Sequence, residues 1–180
     1  MIAPDDVLTF WRNAGPDKWY AVDPVLDAEI RTRFEALWQA ARSGSCADWE
    51  ATAEGTLALL IVLDQFPRNM FRGHAGSFAT DARAREVARR AVARNCDLQL
   101  GEEVREFFYT PIMHAEDIAD QEWSVALFGE RLGKDGKNYP YALAHRDIIR
   151  RFGRFPARNE ALGRISTPEE TAFLAAQPPH

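Results

Sequence analysis

The residues Leu57 to Arg72, LALLIVLDQFPRNMFR, decide how this chain folds. Leu57, Leu59, Leu60, Ile61, Val62 and Leu63 leave no polar face on a helix, so the spacing predicts a helix buried on most sides. Asp64 falls at i+7 from Leu57, i+4 from Leu60 and i+3 from Ile61, on the buried stripe. A carboxylate there needs a partner, because an unpaired buried charge costs several kcal/mol. Phe66-Pro67 reads as the helix stop, since the residue before proline avoids the αR region and proline offers no N–H. Arg68, Asn69, Arg72 and His74 follow, so a polar cluster stands at the exit of the core helix.

Outward from this stretch, helical signals fill the chain. Pro4 suits a first turn, Asp5 and Asp6 complement its dipole, and Gly15-Pro16 closes the helix. Lys18-Trp19-Tyr20 reads as an aromatic loop. Asp23-Pro24 opens a second helix, with Leu26, Ile30, Phe34, Leu37, Trp38 and Ala41 at helical spacing. The third begins near Asp48 and ends at Gln65. Further helices are predicted over 78–94, 102–109, 115–132 and 140–152, with Gly133–Asn138 as an exposed loop. Thr167-Pro168-Glu169-Glu170 is a capping box opening a short last helix, and the terminal QPPH reads as frayed. No stretch alternates apolar and polar over a strand's length. The fold class is therefore all-α, with antiparallel helical hairpins in one domain over residues 1–180. One short echo stands out: Phe66-Pro67-Arg68-Asn69 against Phe155-Pro156-Ala157-Arg158-Asn159.

Composition narrows the function. The hydrophobic fraction of 46% and charged fraction of 27% suit a globular protein, and 180 residues suffice for one genuine core. A net charge of −5 argues against general nucleic-acid or anionic-membrane binding. Cys46 and Cys96 lie in no C-x-x-C pattern and read as ordinary reduced thiols. The first residues lack a secretory pattern and no apolar run is long enough to span a membrane, which points to the cytoplasm.

Three polar groupings are candidates for chemistry. The first is Asp64, Gln65, Arg68, Asn69 and Arg72 with His74; its bland reading is an Asp–Arg pair fixing the exit of the core helix. The second is His114, Glu116, Asp117 and Gln121, in which His114, Asp117 and Gln121 are spaced as a stripe along one helix face. Helix capping would explain its acids but not its histidine or glutamine. No metal is expected, because neither Glu-x-x-His nor His-Glu-x-x-His is present. The third is His145 with Arg150, Arg151, Arg154, Arg158, Asn159 and Arg164. Arginine in place of lysine suits bidentate capture of carboxylate or phosphate, or pairing with the internal acids Asp64, Asp81, Glu116, Asp117 and Asp147. His145 precedes Ile148, Ile149 and Phe152 at helical spacing and should face inward.

At these residues the chain resembles a known family. Leu63-Asp64-Gln65-Phe66-Pro67-Arg68-Asn69 with Phe71-Arg72-Gly73 is the most distinctive piece; His114 with Glu116-Asp117, His145-Arg146-Asp147-Ile148-Ile149 and Arg151-Phe152-Gly153-Arg154-Phe155-Pro156 agree with it. Together they are similar to the bacterial domain-of-unknown-function family numbered 924. The resemblance implies an all-α fold similar to tetratricopeptide-repeat (TPR) superhelices and carries no activity to transfer. One departure is Ala115, where the family pattern usually has serine; losing a capping serine costs about 1 kcal/mol and removes a serine nucleophile at that point.

Two readings follow. In the first, the three groupings converge in a pocket for a small anionic ligand, carboxylate or phosphate, with His114 or His145 as general acid–base if chemistry occurs. In the second, a TPR-like module, or a compact bundle, presents a groove to a peptide or protein partner. Whether the chain is an enzyme, and with what cofactor, is left open by the sequence.

Overall fold

The computed structural model describes residues 2–176, and among these every regular element is helical. The expected fraying of QPPH concerns residues outside that range. In chain order the α-helices are α1 (Pro4–Ala14), α2 (Pro16–Trp19), α3 (Pro24–Ser43), α4 (Ala53–Leu60), α5 (Phe66–Met70), α6 (Asp81–Ala93), α7 (Glu102–Arg105), α8 (Thr110–Met113), α9 (Ile118–Arg131), α10 (Tyr139–Phe152) and α11 (Pro168–Ala175). Several starts follow the capping chemistry read from the sequence. Asp23 accepts from the Val25 and Leu26 N–H groups, and Thr167 and Glu170 form the reciprocal box ahead of α11.

The core is built around α4. Every residue from Gly55 to Pro67 is buried, as an apolar surface on all sides requires. The Phe66 ring lies 4.8 Å from Phe34 and 5.8 Å from Trp11, so α1, α3 and α5 meet on it. On the other side α6 and α8 pack together and against this core, while α9 and α10 form a hairpin across the 133–138 turn.

The structure corrects the expected stop at Phe66-Pro67. The helix runs on to Met70 through a π-helical turn at Ile61–Gln65, in which the Phe66 N–H reaches back to the Ile61 carbonyl. Proline is tolerated because its missing donor is replaced. The Leu63 carbonyl, which residue 67 would have served, accepts instead from the Thr80 hydroxyl at 2.6 Å. The same hydroxyl accepts from Trp38 Nε1 at 3.1 Å, tying α3 to the kinked segment. Two other expectations shift. Lys18-Trp19 belongs to the helical turn α2, and α9 starts at Ile118 behind the N-cap Asp117, not at Ala115. Position 115 is therefore not the cap, and a serine there would not supply one.

Candidate functional site

Asp64 lies inside the π-turn with only 1% of its surface exposed. Its Oδ1 meets His114 Nδ1 at 2.8 Å and Arg68 Nη1 at 3.2 Å, and its Oδ2 accepts from Gln65 Nε2 at 2.6 Å. Burial would push this carboxyl up, but the Arg68 guanidinium and the His114 ring overcome it and hold the group well below the usual carboxylate range. An ionised carboxylate can only accept, so His114 Nδ1 carries the proton and Nε2 the lone pair.

His114 follows α8 at its C-terminal end, and its carbonyl accepts from Arg158 Nη2 at 2.9 Å. Asp81, at the start of α6, joins the two arginines. Its oxygens take Arg68 Nη1 and Nη2 at 3.0 and 3.1 Å, and Arg158 Nη1 at 3.2 Å. The Arg158 guanidinium is held over Phe78 at 4.6 Å and over Phe155 at 4.5 Å. The Phe155 ring is also 5.3 Å from His145, and the His145 and His114 rings are 6.2 Å apart. His145 Nδ1 donates to the Tyr141 carbonyl one turn back on α10, at 2.8 Å, which again leaves Nε2 as the free lone pair. Neither Nε2 has a hydrogen-bond partner among the described residues, and neither is sealed from solvent.

Both rings are held neutral. Burial, then the nearby Arg68 charge, lowers His114, although Asp64 opposes this. Burial, with His114 next, pushes His145 down to about 4, and Arg158 and Arg68 add to the effect. Burial and the neighbouring Arg68 also lower Arg158. Around His145 the Arg158 and Arg68 charges both disfavour a protonated ring.

The remaining sequence candidates lie elsewhere in the network. Asn69 and Arg72 bind Asp27 on α3, Arg72 through both Nε at 2.6 Å and Nη2 at 3.0 Å. His74 is exposed. His114, Asp117 and Gln121 do not form the expected stripe, because His114 precedes α9. Asp117 caps α9, and Gln121 Nε2 closes the Met113 and Ala115 carbonyls at 2.6 and 2.8 Å. Glu116 accepts from Arg164 Nη1 and Nη2, at 2.8 and 2.7 Å, and from the Phe155 N–H at 2.8 Å. Arg154 forks onto Glu170, which Asn159 also approaches, and Arg151 pairs with Glu169. Among the described residues no group of three His, Cys, Asp or Glu side chains is placed to hold a metal. Only Asp64, Gln65, Arg68, His114, His145 and Arg158 of the sequence candidates share one locus.

Sequence reading gave Asp81 only as a pairing partner and did not single out Phe78 or Phe155 as neighbours of the site. The echo held the signal: its two arginines, Arg68 and Arg158, are the two that converge on Asp81.

Residues 7–178 match the family described as bacterial protein of unknown function (DUF924). The chain belongs to that family. A solved structure of a protein of unknown function, ATU0120 from Agrobacterium tumefaciens, is 45% identical, with 97% of each chain covered and a TM-score of 0.92. No curated protein matches the chain. Family membership therefore supports the all-α architecture and leaves the chemistry to be read from the site.

Proposed function

We propose that the locus formed by His114, His145 and Arg158 binds a small anionic ligand, carboxylate or phosphate. His114 would serve as its general base if a reaction follows. The observation that carries this is the 2.8 Å bond from His114 Nδ1 to the buried Asp64 carboxylate, which fixes the tautomer and leaves Nε2 open. An imidazole so oriented, and neutral near pH 7, is competent to take a proton from a bound group. The Arg158 and Arg68 charges favour an anion beside it. A thermal-shift screen of di- and tricarboxylates, phosphorylated metabolites and nucleotides tests the proposal. A ligand at about 100 times its Kd adds ~2.7 kcal/mol to stability. The shift should vanish in a folded His114→Ala protein; a panel with no shift would count against the site.

A second reading, a TPR-like module for a peptide or protein partner, draws on a separate feature. A cleft of about 490 Å³ lies between α1 and α3, lined by Asp5, Asp6, Phe10, Lys18, Glu29 and Arg33. None of the His114 locus lines it, so His114→Ala would leave a partner bound there in place while Arg33→Glu would release it.

A further inference from the structure

The hydrogen-bonding capacity of the two rings narrows the ligand class. Each Nδ1–H is committed, one to the Asp64 carboxylate and one to the Tyr141 carbonyl. Each ring therefore offers solvent an acceptor, and the ring centres stand 6.2 Å apart. Arg158, packed against two phenyl rings, uses one N–H on Asp81 and one on the His114 carbonyl, so part of its five-donor fork has no partner among the described residues. The locus thus asks for two things at once: negative charge for the guanidinium and hydrogen-bond donors for the imidazoles. A carboxylate or sulfate, fully ionised near neutral pH, has no proton to donate and would set its own lone pairs against those of Nε2. Inorganic phosphate keeps a P–OH throughout the neutral range, and a monoester keeps one in the fraction that has not passed its second ionisation near about pH 6.

Resting on the anion-site reading above, we propose that the ligand is a hydrogen-phosphate group, free or esterified. Its P–OH would donate to an Nε2 of the His114–His145 pair, and its anionic oxygens would accept from Arg158. Specificity then comes from the donor and not from charge or size, since sulfate matches phosphate in both.

Isothermal titration calorimetry at pH 6.5 with inorganic phosphate, methyl phosphate, sulfate and malonate tests this on the intact chain. Phosphate or methyl phosphate should bind about tenfold more tightly than sulfate or malonate, since an unmade hydrogen bond at a half-buried acceptor has about that weight. His114→Ala and His145→Ala should each shrink the preference. His145→Gln, which keeps a polar side chain at a half-buried position, repeats the test if the alanine protein does not fold. Tighter binding of inorganic phosphate than of methyl phosphate would assign the free ion; the reverse order would assign a monoester. Sulfate binding as tightly as phosphate would overturn this inference while leaving the anion site standing. Binding of none of the four would overturn both.

Discussion

Replacing Asp81 with alanine removes the acceptor on which Arg68 and Arg158 meet. Three N–H groups from two guanidiniums lose their partner, at 3.0, 3.1 and 3.2 Å. The two arginines do not suffer equally. Arg68 keeps the Asp64 carboxylate at 3.2 Å and the Asp64 carbonyl at 2.6 Å. Arg158, whose side chain is 13% exposed and packed against two phenyl rings, keeps only the His114 carbonyl and cannot swing to water without abandoning Phe78 and Phe155. Removing one partner of a buried ion pair costs roughly 3–5 kcal/mol, and partial exposure places this case near the lower end, about 3 kcal/mol. In a chain of this size each kcal/mol moves Tm by about 2–4 °C, so the midpoint should fall by roughly 6–12 °C. Urea unfolding followed by circular dichroism gives the free energy, with Glu169→Ala as control; its partner Arg151 is exposed, and that loss should stay within about 1 kcal/mol. An Asp81→Ala protein no less stable than Glu169→Ala would refute the claim that Asp81 joins the site together.

Other consequences follow from the same contacts. Thr80→Val keeps the shape but leaves the Leu63 carbonyl and Trp38 Nε1 without their partner, and should cost about 1–3 kcal/mol by chemical denaturation, whereas Thr80→Ser should cost less. Glu170 is depressed to about 2 by Arg154 and the Thr167 N–H, so the folded carboxylate binds its proton later than the unfolded one. Its stabilisation is present above the unfolded value near 4.5 and is lost as pH falls toward 2, and Glu170→Gln should flatten Tm against pH in that window. His145, pushed down to about 4, has the same sign for a different reason. The unfolded ring protonates near 6.5 and the folded one does not, so stability falls between those values, and the His145 NMR titration should show a midpoint near 4; a midpoint at or above 6.5 would contradict its burial.

The sequence allowed the all-α class to be read because its evidence is local. The all-apolar run before Asp64, the Asp23-Pro24 start and the Thr167 capping box each act within a turn or two of chain. Asp64's need for a partner was legible too, since burial of a charge demands one, and the partners are Arg68 and His114. What was not legible depends on contacts distant in sequence. Whether Phe66-Pro67 ends a helix is decided by Thr80, which supplies the donor that proline lacks. Whether the C-terminal arginines are open or paired is decided by Glu116, Asp81 and Glu170, residues with no spacing signal linking them to Arg164, Arg158 and Arg154. The convergence of His114 and His145 depends on how α8 meets α10, which no single periodicity encodes.

The π-turn makes chain length itself a determinant of this site. A π-turn accommodates one residue more than a regular α-helical turn, and an α-helix advances ~100° per residue. Deleting a residue from 61–65 would let the segment relax to regular α geometry with its apolar surface nearly intact. Because the π-turn already absorbs that residue, the helix downstream would keep its phase, and Arg68, Asn69 and Arg72 would stay beside Asp81 and Asp27. Removing the extra residue would keep the fold and the downstream polar contacts, and would remodel only the turn that presents Asp64.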